Sequence, residues 1–314
     1  MWGLVLTGGC VMASAYGAAR YLKTHTMRNV FSLSVALSIL LCAYSGAVGA
    51  QYVDLLSIFD RDYSGWLVAG GAAVWIVLCG GYAAARGRVS LQGTALLAIP
   101  VFATWTVVGF FAFMSIGRIQ MSEISLLPPR GEGVWVFIGE TIYMCADAVL
   151  GVFCLDGKPK EGEPVGPHIF VEGAGIFVLV SGVKLIRDLL LFGQTLTAEV
   201  RDAELAAIRS VPMLELPEIS VLVHTFAVVI KLGFYLYLAQ KVLEADGGNK
   251  SKAMHGLLGA GTLLSLWLFL EHRHEERLTV GAGWCAFSLI AMAGCLVLCC
   301  YGGKKERTPK GLEK

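Results

Sequence analysis

The sequence predicts an all-α fold: a polytopic integral membrane bundle of about nine transmembrane helices, N-terminus lumenal or outside, C-terminus cytosolic. Three observations predict it. The chain of 314 residues is 56% hydrophobic, with a mean hydropathy of +0.66, well beyond a soluble domain. Its charge collects at the edges of apolar runs, each close to the ~20 residues a helix needs to cross a bilayer. Lys and Arg divide about twofold in favour of one side of these crossings, the bias expected of a cytosolic face.

The runs follow in order. Met1 leads directly into Trp2–Ala19, and Arg20, Lys23 and Arg28 come after it. A cleaved signal peptide has the reverse order, so this run reads as a first transmembrane helix, and the abrupt start suits a chain cut from a polyprotein. Asn29–Ala50, Gly65–Ala85 and Leu91–Ile116 complete residues 1–132. Asp54, Asp60 and Asp62 make the first external loop acidic. Phe59 to Gly65 copies the opening of an EF-hand, but its twelfth position is Gly71 instead of a bidentate Glu, and the stretch reads as a capping turn. Gly117–Ile124 with Pro128, Pro129 and Gly131 reads as an external loop, because two prolines and a glycine break any helix.

Residues 133–246 form the charged core. It holds Gly133–Cys154, His168–Gly193 and Glu218–Leu243, with an amphipathic stretch at 195–211. That stretch reads as a helix on the membrane surface or as an extension of the sixth helix. Residues 247–301 supply Ala253–Leu270 and Thr279–Tyr301, and 302–314 are a basic cytosolic tail. Cys299 and Cys300 beside Lys304 and Lys305 are candidates for palmitoylation or for simple packing in a stop-transfer flank.

Three core spans carry charges inside apolar runs. An ionisable group at mid-membrane costs at least ~2.5–3.5 kcal/mol, so such groups should meet one another or water. Glu140, Tyr143 and Asp147 share a face of one span, Lys184, Arg187 and Asp188 of the next, and His224, Lys231 and Tyr235 of the third. At a rise of about 1.5 Å per residue, Glu140, Lys184 and Arg187 lie ~10 Å in from the external side, and Asp147 and Lys231 ~20 Å. Two ion-paired layers are expected: Glu140 with Lys184 or Arg187, and Asp147 with Lys231. These pairs either lock helix packing or line an ion or proton path.

Other chemistry finds little footing. The nine cysteines include no CxxC pair and read as small apolar packing residues. Glu271-His272-Arg273-His274-Glu275-Glu276 with Cys285 holds the residue types of a nucleophilic site, but the histidines alternate with charges in a solvated turn. No catalytic residue, metal site or cofactor is assigned. A net charge of +1 without a basic stripe argues against a direct nucleic-acid partner.

Gly117-Arg118-Ile119-Gln120-Met121-Ser122-Glu123-Ile124 resembles a stretch in the membrane region of pestivirus nonstructural protein two, which has Glu in place of Gln120 and Pro in place of Ser122. Phe234-Tyr235-Leu236-Tyr237, then Lys241-Val242-Leu243-Glu244, Gly247-Gly248 and Trp267 are similar too, as are Val183-Lys184-Leu185 and Arg209-Ser210-Val211. The likeness spans Ser64 to Trp267. It implies a viral polyprotein product of the endoplasmic reticulum membrane, serving replication or virion assembly. The expected partners are membrane lipids and other viral or membrane proteins, with a homo-oligomer left open. The family's cysteine autoprotease domain has no counterpart after Tyr301, so no catalytic residue carries over. A second, local likeness runs through Leu191-Phe192-Gly193-Gln194, Glu199, His224 and Lys231, which resemble the last hairpin of ATP synthase subunit a. There the required arginine would fall at Leu190. It leaves an accessory subunit of an energy-transducing complex as a further alternative, beside a channel or transporter.

Overall fold

The computed structural model describes residues 2–24, 31–59, 66–114, 132–155, 167–199, 217–244, 252–272 and 294. Among the described residues the architecture is all-α, with eight helices and no strand. They are α1 (Trp2–Thr24), α2 (Phe31–Phe59), α3 (Trp66–Arg86), α4 (Arg88–Met114), α5 (Glu132–Leu155), α6 (Pro167–Glu199), α7 (Pro217–Glu244) and α8 (Lys252–His272).

Long runs of Leu, Ala, Val and Phe favour this outcome, because only a helix satisfies every backbone N–H and C=O within a single apolar segment. The ends follow local chemistry. Pro167 and Pro217 open α6 and α7, where a missing N–H costs nothing. Arg86 and Lys241 lie in the last turns of α3 and α7, complementing the negative end of the helix dipole. Between α3 and α4 the whole connection is Gly87, with φ at 85°. Its N–H donates to the Ala84 carbonyl at 2.9 Å and its carbonyl accepts from Leu91 N at 3.2 Å, so one residue closes one helix and opens the next.

The partners across each interface fix the relative directions of the helices. Ser38 reaches the Ala239 carbonyl while Tyr52 meets Thr225, so α2 and α7 are antiparallel. A Cβ at Gly8 would meet Val178 and one at Gly175 would meet Met12, so α1 and α6 are antiparallel as well. Lys231 meets Asp147 and Lys241 meets the Phe153 carbonyl, so α5 and α7 run parallel. Where these contacts speak, odd and even helices point opposite ways, as in a chain that reverses at each connection.

α7 is the hub, packing on α2, α3, α4, α5 and α8. The main apolar core joins Leu37, Leu41, Tyr44, Leu150, Phe153 and Leu238, drawn from α2, α5 and α7. A second centres on Ile76, Leu232 and Leu266, from α3, α7 and α8. Small residues bring the helices close. A Cβ on Gly46 would stand 2.5 Å from Ser265 Cβ and 2.6 Å from the Leu266 backbone nitrogen, so α2 and α8 cross almost in backbone contact. There Ser265 Oγ donates to the Ala43 carbonyl at 2.9 Å, which such closeness permits.

Several expectations need correcting. Asp54 belongs to α2, which continues to Phe59, and is not a loop residue. A polar Gln51 and Asp54 near a helix end do not outweigh the apolar residues around them. Arg88 is the first residue of α4, since Gly87 alone makes the turn. Thr195–Glu199 continues α6 without a break, which matches the second of the two readings of this stretch as far as Glu199, and residues 200–211 lie outside the described set. Of the nine expected spans, two described stretches are long and apolar enough to cross a membrane, Arg88–Phe110 and Val221–Leu243, with Val35–Ala50 and His255–Leu268 shorter. The ninth span, apart from Gly294, the acidic and Pro-Pro loops, the Glu271 cluster beyond His272, Cys299, Cys300 and the tail lie outside the described residues.

Candidate functional site: a charged junction between two cavities

Asp147 sits on α5 about two turns before its end, and Lys231 at mid-length on α7. Because those helices are parallel and adjacent, side chains at similar heights face each other. Lys231 Nζ lies 2.8 Å from Asp147 Oδ2. Tyr235, one turn on from Lys231, donates its hydroxyl to Oδ1 of the same carboxylate. Both oxygens of Asp147 are thus engaged from α7. The ammonium also faces two rings, 5.7 Å from the centroid of Tyr44 and 5.9 Å from that of Tyr235. The rings meet edge to face, with centroids 4.9 Å apart and planes at 77°. Three helices, α2, α5 and α7, therefore converge on one ion pair whose side chains keep 30% and 22% of their exposure.

That remaining exposure opens onto two cavities. One, of about 580 Å³, lies among α1, α4, α5 and α6 and is lined by Arg88, Gln92, Asp147, Gly151, Gly173 and Phe177, among others. The other, of about 340 Å³, lies among α4, α5 and α7, with Ile99, Phe102, Asp147, Gly151, Lys231 and Tyr235 on its wall. Asp147 and Gly151 border both. The pairwise contacts α1 to α5, α5 to α7, α7 to α4, α4 to α6 and α6 to α1 close a ring, and both cavities are bounded by its members.

The outer charged layer is described only in part. Arg187 is buried, with 3% exposure, and a Cβ on Gly109 would lie 3.2 Å from its Nη1, so glycine makes room on α4 for the guanidinium. Lys184 is half-buried on α6, the helix that carries Arg187, as is His224 on α7. The side chains of Glu140, Tyr143 and Asp188 fall outside the described residues, and with them the expected pairing of Glu140. No group of three or more His, Cys, Asp or Glu residues arranged to hold a metal occurs among the described residues.

Sequence reasoning missed two participants. Tyr44 was one of many tyrosines in apolar runs, and nothing in its own helix marks it as the ring beside Lys231. Arg88 falls between the expected spans Gly65–Ala85 and Leu91–Ile116, whereas it opens α4 and helps to line the larger cavity. The signal was present in its spacing. Arg88 and Gln92 are four residues apart, hence on one face at the start of an apolar helix.

Neither the known family models nor the curated proteins match this sequence.

Proposed function

We propose that the chain is a multi-pass membrane protein that anchors and scaffolds a replication or virion-assembly complex of viral type at the endoplasmic reticulum membrane. The observation that carries the membrane reading is α4. Its apolar stretch Arg88–Phe110 is only 17% buried inside the fold, and Val89, Leu96 and Leu97 are 83%, 72% and 76% exposed. The core helix of a soluble protein hides such residues, whereas hydrocarbon accommodates them. Trp75, Leu78 and Tyr82 on α3 extend the outward apolar surface. Alternating helix directions support repeated crossing. The viral role rests on the resemblance carried by Gly117–Ile124 and by Phe234–Glu244.

Within this reading the Asp147, Lys231 and Tyr235 cluster is a packing lock. Each oxygen of the carboxylate has a donor, which offsets the cost of placing it in a low-dielectric layer. On blue-native gels a scaffold solubilised from cells expressing its neighbours should migrate well above its own mass with co-purifying proteins. Migration solely as a monomer or as one homo-oligomer would count against it.

A second reading, an ion or proton path, is favoured by the position of Asp147 between two cavities. Proton and cation flux into liposomes separates the two. The lock predicts the same background leak for the wild type, Asp147→Asn and Lys231→Met. A path predicts wild-type flux that both substitutions abolish.

A further inference from the structure

We propose that the larger cavity is a binding site for an anionic phospholipid of the leaflet on the cytosolic side, with an acyl chain among α1, α4, α5 and α6 and the phosphate on Arg88. The inference rests on the membrane reading above and adds to it a specific ligand at a specific place.

The geometry supplies a polar mouth and an apolar barrel. Arg88 is the first residue of α4, and Gln92 is one turn further along the same wall. Arg88 Nε is shielded from solvent without a hydrogen-bond partner among the described residues. An unsatisfied guanidinium N–H is costly, and because Arg88 as a whole is only half-buried at the cavity wall, a turn of its side chain brings these N–H groups to a phosphate oxygen, their best-matched acceptor. Beyond this mouth, Ile169, Gly173 and Phe177 occupy successive turns of α6, giving an apolar wall about 12 Å long. The α5 wall is Met144 and Gly151 with Asp147 between them, whose carboxylate is engaged by Lys231 and Tyr235. The volume of about 580 Å³ falls within the roughly 300–1,000 Å³ of sites for small amphiphiles.

The orientation is that of a lipid. The start of α4, the end of α5 and the start of α6 lie at one end of the bundle, the end that the positive-inside bias assigns to the cytosol. The charged mouth therefore sits at headgroup level and the apolar part points towards mid-membrane. A soluble anion would need the mouth alone, and would leave the apolar wall unexplained.

The glycines provide a clean perturbation. A Cβ at Gly173 would meet nothing within 4 Å, so a larger side chain there enters the cavity without disturbing the helices. The full chain is reconstituted in nanodiscs of phosphatidylcholine with or without phosphatidylserine, re-extracted gently, and its retained lipid counted by native mass spectrometry. The wild type should retain phosphatidylserine in preference to phosphatidylcholine. Arg88→Gln should lower that preference about fivefold, the worth of one basic side chain at a lipid surface. Gly173→Leu should reduce retention of both lipids while leaving the unfolding midpoint unchanged. Inorganic phosphate added in excess should not displace the lipid, and if it does the site is one for free anions. Equal retention by all three proteins, or no preference for phosphatidylserine, would overturn the proposal. Accessibility of a cysteine placed at the exposed Ala85 to an impermeant reagent, read against the wild type, reports separately whether this end of the bundle reaches the cytosolic surface, so a failed membrane orientation is distinguishable from an empty cavity.

Discussion

Lys231→Met should lower the stability of the protein by about 2–3 kcal/mol, read as a drop in its unfolding midpoint in mild detergent. Removing one member of a buried ion pair typically costs about 3–5 kcal/mol, because the other charge is stranded. Here the pair retains 30% and 22% exposure, so solvent screening brings the cost to the lower end of that range or just below it. The stranded group is the Asp147 carboxylate, left among the described residues with the Tyr235 hydroxyl alone. Methionine keeps most of the lysine's apolar stem, so the loss reports the charge and not the packing. Asp147→Asn should be milder, since an amide oxygen still accepts from a neighbour. Tyr235→Phe retains the ring contact with Tyr44 and deletes a single hydrogen bond to a charged group, with an expected cost of about 1.5 kcal/mol.

The second large effect is expected far from any charge. Gly46→Ala should destabilise the fold by about 1–3 kcal/mol, the usual range for overpacking a well-filled interface. The added methyl would lie 2.5 Å from Ser265 Cβ and, less forgivingly, 2.6 Å from a backbone nitrogen of α8. A side chain can rotate away, but a helix backbone has to move bodily. That movement would also stretch the bond from Ser265 Oγ to the Ala43 carbonyl. Gly9→Ala is the matched control. A Cβ there meets nothing within 4 Å, so the same change should be neutral or slightly stabilising through helix propensity. Equal midpoints for the two variants would show that α2 and α8 do not cross at Gly46.

These two sites differ in how far the sequence revealed them. Asp147 and Lys231 stand out because a charge inside an apolar run is expensive, and a constant rise per residue converts position into depth. Depth and sign then pair them without any knowledge of the fold. Tyr235 follows from its helical spacing to Lys231. Tyr44 does not, since a tyrosine in an apolar helix usually packs, and its neighbour lies almost two hundred residues away. Gly46 is equally silent. The chain has 38 glycines, and only the crossing partner tells that a Cβ at Gly46 has no room while one at Gly9 has.

Boundaries failed where apolarity and helicity part company. Hydropathy ended the second span at Ala50, yet α2 continues through Gln51 and Asp54 to Phe59, because polar residues at a helix end keep their backbone bonds. The sixth span was ended at Gly193, but α6 runs on to Glu199 for the same reason. The ring of α1, α5, α7, α4 and α6, and hence the cavities, had no sequence signature. Its closure depends on which helices touch, and no periodicity within one helix encodes that.

Opposite charges meeting inside the bundle join α5 to α7. A double-mutant cycle on Asp147 and Lys231, measured by unfolding of the membrane-reconstituted protein, tests it most directly. Asp147→Asn combined with Lys231→Met should be less destabilising than the sum of the two, by at least ~1 kcal/mol of coupling. Effects that add to within about 0.5 kcal/mol would mean the two residues do not interact, and would contradict it.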